Sequence, residues 1–300
     1  MKNFYNIGII ILLLNQSFLG MELSSREICY RKQLERHSPK HTPLIEAICS
    51  GNKEKALEII NQENCDLNDD YVLRAPHLIY ATAYNQPSVV EALLEKKANI
   101  NVEYGGRDAL SVATEFDYIE TAECLLRHGA NPNNNYTIIG QRPIHLANSL
   151  AMINLLLKYN ANPNAADASR FKPLHYAINE YDANHDTTKI MSSLIAHGAS
   201  INELCEKNET SLTFAVKENS LPIITFLLQQ KNIAIDRPNS NSESPLTIAI
   251  KKKFPETVKL LLEHGANPNG FYYNTKILQY AKEIGHEPTI TILLEKGAQE

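Results

Sequence analysis

A six-residue phrase recurs along this chain, and its spacing excludes a single closed core. It stands as TPLIEA at 42–47, RPIHLA at 142–147, KPLHYA at 172–177, TSLTFA at 210–215 and SPLTIA at 244–249. Looser copies fill the gaps as PHLIYA at 76–81, DALSVA at 108–113 and KILQYA at 276–281. The closing alanines, at 47, 81, 113, 147, 177, 215, 249 and 281, lie 30 to 38 residues apart. A unit of that length cannot bury its apolar face alone, so the units must stack in a row, and function has to be sought on the surface of the stack.

Each unit can be built from its residues. Thr42, Thr210 and Ser244 open the phrase with hydroxyls suited to a helix N-cap, and Pro43, Pro143, Pro173 and Pro245 follow at the first helical position. A short first helix therefore starts at the phrase. Beyond each alanine, sets such as Val90, Leu93 and Leu94, or Val258, Leu261 and Leu262, repeat at helical spacing and predict the buried stripe of a second helix. The loops KKANIN at 96–101, HGANPN at 128–133, YNANPN at 159–164, HGASIN at 197–202 and HGANPN at 264–269 come next. Their glycines suit a left-handed helix end, and His128, His197 and His264 face the negative end of the helix dipole. Gly106, Gly140, Asn208 and Asn274 mark a tight turn before the next phrase.

Phrase, leucine pair and loop recur in phase over about residues 42–300, and the chain resembles the ankyrin-repeat family. The resemblance implies an all-α solenoid of about eight helix-turn-helix repeats with β-hairpin-like loops. It also places His145 and His175 where the family has a structural histidine between neighbouring repeats. Two departures are local. Only ten residues separate Ala147 from Leu157, which predicts a shortened inter-helix turn in repeat 4, and EYDANHDTTK at 180–189 predicts a bulging turn in repeat 5.

Hydrophobic residues are 43% of the chain and charged residues 21%, as in a folded domain, and the net charge of −5 gives no electrostatic case for nucleic acid. No GxSxG, HExxH, P-loop or GxGxxG occurs, so the sequence carries no signature of an enzyme, and no cofactor is expected. Asp182, Asn184 and Asp186 imitate the start of a calcium loop, but Thr187 and Ser193 occupy its glycine and glutamate places. His37 and His41 have metal-binding spacing, with Pro39 between them and no further ligand. No metal site is assigned to either.

Residues 1–20 read as a signal peptide, with an apolar run from Ile7 to Leu14 too short to span a membrane comfortably, so export is expected; an uncleaved anchor over residues 7–19 is the rival. Residues 21–41, with Ser24 or Ser25 capping a helix that carries Ile28 and Leu34, are expected to cover the exposed end of repeat 1. The five cysteines fit neither CxxC pairs nor a disulfide framework; one bridge, Cys29 to Cys49 or to Cys65, stays open for an exported chain.

The family resemblance implies that partners meet the loop tips and the open side of the first helices, on a concave face. Apolar and aromatic residues at those places concentrate in the first half of the stack. The expected partner-binding residues are Tyr84, Tyr104, Arg107, Phe116, Ile138, Ile139 and Phe171, because exposed aromatics with an arginine are what an interface hot spot requires. The reading is a monomeric, non-catalytic scaffold that binds another protein. A membrane-tethered spacer, or an enzyme whose site has no recognised motif, would be the alternatives.

Overall fold

Short helices in pairs are the main element of the described residues. The computed structural model describes residues 24–36, 42–62, 75–135, 139–179, 187–206 and 208–299. The apolar amino-terminal run, His37, His41, Cys65, Ile138 and the insertion at 180–186 lie outside the described residues. Among the described residues one helix, α1 (Ser25–Arg36), precedes eight pairs. These are α2 (Pro43–Cys49) with α3 (Lys53–Ile60), α4 (His77–Ala83) with α5 (Pro87–Glu95), α6 (Ala109–Glu115) with α7 (Ile119–Arg127), and α8 (Pro143–Leu146) with α9 (Leu150–Lys158). There follow α10 (Pro173–Asn179) with α11 (Thr187–Ala196), α12 (Ser211–Lys217) with α13 (Leu221–Leu228), α14 (Pro245–Lys251) with α15 (Pro255–Glu263), and α16 (Ile277–Ile284) with α17 (Glu287–Glu295).

The caps are those the residues call for. Thr42, Thr210 and Ser244 accept hydrogen bonds from the amides of Ile45, Thr213 and Thr247, and Asp108 does the same for Ser111 at 2.7 Å. Gly129, Gly198, Gly265 and Gly297 close second helices with φ of 92°, 93°, 94° and 87°. His128, His197 and His264 each donate from Nδ1 to the carbonyl four residues back, at 2.8–2.9 Å.

First helices pack on first helices and second helices on second helices, giving two layers with one continuous core between them. The leucines of the recurring stripes are its substance: Leu93, Leu125, Leu156, Leu194, Leu227, Leu261 and Leu293 have no exposed surface. In the loops, β1 (Glu103–Tyr104) pairs antiparallel with β2 (Arg107–Asp108), and β3 (Phe271–Tyr272) with β4 (Thr275–Lys276), in registers Tyr104↔Arg107 and Tyr272↔Thr275.

A polar ladder ties one loop to the next. Asn133, Asn164, Asn202 and Asn269 each donate from the side-chain amide to a carbonyl at the end of the following second helix, those of Asn160, Gly198, Asn232 and Gly297. Each also accepts from a backbone amide in that following loop, at Asn162, Ser200, Ala234 and Gln299. The asparagine that closes the loop phrase is therefore an inter-repeat fastener rather than a solvated turn residue.

Two expectations need correction. In repeat 4 the missing residues come out of the first helix and not out of the turn: α8 has four residues where α2, α4 and α6 have seven, while Ala147, Asn148 and Ser149 preserve a three-residue connection. The reason is that Ser149 caps α9 by accepting from Met152 and donates to Asp117 of the preceding repeat, which fixes the start of the second helix. In repeat 8 it is Tyr273, with φ of 50°, that takes the left-handed turn conformation expected of Asn274.

Candidate partner-binding face

The first helices and hairpin loops form the face on which the expected binding residues lie, and α1 is laid along part of it. Ser24 and Glu27 open α1 as a reciprocal capping box: the Glu27 amide donates to Ser24 Oγ at 3.2 Å and the Ser24 amide donates to Glu27 Oε2 at 2.9 Å. The buried side of α1 carries Glu27, Tyr30 and Leu34, with Arg31 half-buried beside them, a spacing of three, four and seven. Ile28, expected to be on that side, is only half-buried.

That stripe meets repeats 2 and 3. Arg31 Nε donates to the Ala83 carbonyl at 2.8 Å, its Nη2 donates to the Tyr118 hydroxyl at 3.1 Å, and its guanidinium lies 4.6 Å from the centre of the Tyr84 ring. The Tyr118 hydroxyl donates to Glu27. Tyr80, buried in α4, donates to the Leu34 carbonyl at 2.9 Å, and Tyr84 donates to Glu35 at 2.6 Å. Tyr30 packs 5.7 Å from Phe116, with the Arg107 guanidinium 5.5 Å from its ring centre. The segment expected over the end of repeat 1 thus lies against the first helices of repeats 2 and 3.

The expected residues therefore fall into two groups. Tyr84, Arg107 and Phe116 are gathered around α1, and Tyr104, half-buried, is the β1 partner of Arg107. Arg107 also forms an ion pair of 2.8 Å with Glu115. Burial, then the bond to Glu35, pushes the Tyr84 phenol up; burial, then the bond to Glu27, does the same to Tyr118, so both stay hydrogen-bond donors. Ile139 and Phe171 lie apart, in repeats 4 and 5. Ile139 is 45% exposed, and Phe171 is half-buried with its ring 5.4 Å from Phe214 and 5.8 Å from His175.

Sequence reasoning missed the penultimate place of the phrase. Tyr176, Phe214 and Tyr280 stand there, each half-buried. Tyr176 is hydrogen-bonded to Asp167 and Gln141, and the Tyr280 ring packs at a tilt 4.6 Å from Tyr272, which in turn lies 4.8 Å from Tyr273. The aromatic letters before the alanine in HYA, TFA and QYA were the available signal. Phe271 and Tyr273, 62% and 64% exposed, make the β3–β4 hairpin a second apolar prominence of this face.

The charges of the face neutralise one another. Glu209 pairs with Lys217, and Glu243 with Lys251 at 2.5 Å, at the places that Arg107 and Glu115 hold with the signs reversed. On the opposite layer, Glu91, Cys124 and His128 bring possible ligand atoms within 4.8 Å of one another. Their present bonds are structural: His128 caps α7 like its counterparts in other repeats, and Glu91 pairs with Arg127 at 3.4 Å. Burial, with Glu91 adding to it, pushes the Cys124 thiol up to about 11, so it stays protonated at neutral pH. Cys29 and Cys49 are free thiols.

A family model for ankyrin repeats in three copies matches residues 5–104, 44–136, 78–167, 145–239 and 230–300. The chain belongs to the ankyrin-repeat family. Ankyrin repeat protein FPV031 of fowlpox virus (strain NVSL) is 31% identical over 161 residues, which are 50% of this chain and 46% of that one. The B-cell lymphoma 3 protein homolog of Mus musculus is 27% identical over 179 residues, 58% of this chain and 40% of that one. This ankyrin-repeat chain spans less than half the length of these relatives. The crystal structure of the ankyrin repeat domain of Bcl-3 superposes with a TM-score of 0.64 at 23% identity, covering 74% of this chain and 98% of that one, which shows the shared fold. Among the described residues no helix is long and apolar enough to cross a membrane.

Proposed function

We propose that this ankyrin-repeat chain is a non-catalytic, monomeric scaffold that is exported and captures another protein on the face made by its first helices and hairpin loops. The single observation that carries the reading is the chemistry of that face: aromatic rows on the first helices, exposed apolar tips at Ile139, Phe271 and Tyr273, and ions paired among themselves. Such a surface loses little by desolvation when an apolar partner covers it, and rigid aromatic rings bury area at low entropic cost. The opposite layer offers exposed ion pairs such as Lys158–Glu123 and Lys296–Glu263, which contribute little to binding, beside the exposed Leu221 and Leu294.

The test is site-specific photo-crosslinking in full-length protein. Crosslinkers at Ile139 and Tyr273 should trap one and the same partner, and a crosslinker at Glu123, on the opposite layer, should not. Equal trapping from both layers, or none from the first-helix face, defeats the assignment. Light scattering of the purified protein checks the monomer, and amino-terminal sequencing of material recovered outside the producing cell checks export.

A further inference from the structure

We propose that the first-helix face of repeats 2 and 3 is a helix-binding groove that the chain's own α1 fills as an internal ligand. Its external partner is then an amphipathic α-helix presenting a carboxylate, an aromatic ring, an arginine and a leucine at positions i, i+3, i+4 and i+7. The proposal rests on the protein-binding reading above and names the kind of partner for one part of that surface.

Each place on α1 has its own receiving group. The carboxylate of Glu27 takes the Tyr118 hydroxyl, and the ring of Tyr30 sits between Phe116 and the Arg107 guanidinium. Arg31 reaches the Ala83 carbonyl, the Tyr118 hydroxyl and the Tyr84 ring, three acceptors of positive charge around one guanidinium. Leu34 is fully buried, with its carbonyl held by Tyr80. The β1–β2 hairpin forms one wall: a Cβ on Gly105 would lie 3.8 Å from Gln33 Nε2. This is recognition of one face of a helix by a groove, with anchors at the spacing such complexes use.

Two features mark α1 as a replaceable occupant rather than a fixed part of the stack. Among the described residues no backbone–backbone bond joins α1 to a repeat, and the bonds that seat it all use a side chain, so it can leave without breaking the backbone bonds of any repeat. Its fit is also incomplete. The Tyr30 hydroxyl is buried without a hydrogen-bond partner among the described residues, a state that opposes docking. A partner helix with phenylalanine at that place would make the same ring contacts without the stranded hydroxyl. Because α1 and the repeats belong to one chain, α1 acts at an effective concentration on the order of millimolar, so a partner in trans competes only if it binds better.

The experiment uses the full chain, its Arg31→Ala, Leu34→Ala double variant, and a fluorescein-labelled peptide of residues 24–36 as the probe. Fluorescence anisotropy should show the peptide binding the double variant at least tenfold more tightly than the unmodified chain, and a peptide carrying Tyr30→Phe binding threefold more tightly again. Hydrogen exchange on the unmodified chain supplies a second measurement that needs no variant: amides of α1 should exchange at least tenfold faster than those of α4 and α6, because α1 undocks while the repeats stay folded. Equal or absent peptide binding to the two chains overturns the proposal, as does exchange of α1 in step with α4 and α6. Either result leaves the crosslinks at Ile139 and Tyr273 unaffected, so failure of the groove and failure of the protein-binding reading are told apart.

Discussion

At the scale of single residues, the histidines of the recurring phrase are structural bases. His145 accepts the Arg142 amide at Nδ1 and donates from Nε2 to the Ala165 carbonyl, both at 2.9 Å, joining its repeat to the next loop. His175 accepts the Lys172 amide at 3.0 Å, and burial lowers its pKa to about 4. An imidazole that accepts an amide proton at Nδ1 has to be neutral, and in the unfolded chain it is protonated first as pH falls. The stability it supplies is therefore complete above about pH 6.5 and is lost as the pH drops toward 4, up to about 3 kcal/mol. We predict that the melting temperature falls across this window and that His175→Gln, although less stable at neutral pH, shows a flatter acid limb; parallel limbs for the two proteins would refute the assignment. Gly140 supplies a second residue-level prediction. Its φ is 74°, and a Cβ added there would stand only 2.9 Å from the Ala168 amide nitrogen, so Gly140→Ala should cost about 1–3 kcal/mol in urea unfolding.

At the scale of elements, a single loop asparagine makes two of the polar bonds that hold a repeat to its neighbour. Asn164 donates to the Gly198 carbonyl at 2.7 Å and accepts from the Ser200 amide at 2.8 Å. Asn164→Ala should therefore cost about 1–2 kcal/mol, two exposed bonds together, whereas Asn164→Asp should keep the accepting bond and lose the donating one. Denaturant titration separates these outcomes; equal effects of the two substitutions would mean that the donating bond alone matters. Tyr30→Phe in the full chain should leave the repeats unchanged and slow hydrogen exchange in α1, since it removes a stranded hydroxyl and keeps the ring between Phe116 and Arg107.

At the scale of the molecule, stability in a stack is a sum over repeats and their interfaces, so the weakest interface decides whether the chain unfolds as one. The four-residue α8 makes repeat 4 the place where first-helix packing is thinnest. Leu156, fully buried in α9, is a core residue of that repeat's other layer. Leu156→Ala should cost about 2–5 kcal/mol and split calorimetric unfolding into two transitions, one for each side of repeat 4. A single sharp transition at lower temperature would show that cooperativity passes through the short helix undiminished.

What could be read from the residues, and what could not, divides by the range of the interactions. The caps at Thr42, Thr210 and Ser244, the histidines at helix ends and the leucine stripes all act within one repeat, so hydroxyl, proline and apolar spacing sufficed to place them. The shortening of α8 was misread as a shortened turn because the cap at Ser149 also answers to Asp117 in another repeat. The positions expected to bind a partner could be named from the sequence, and four of them, Tyr84, Tyr104, Arg107 and Phe116, lie together beside α1, but their surroundings could not be read. The bonds that seat α1 join residues 46 to 91 apart, and nothing in SREICYRKQLER fixes which surface its buried side will meet. The amino-acid order by itself determined the repeating unit, because its helices, caps and loops are local. Only the tertiary structure decided which part of the common face lies under α1 and which part faces solvent, because exposure is a property of what packs against a residue and not of the residue.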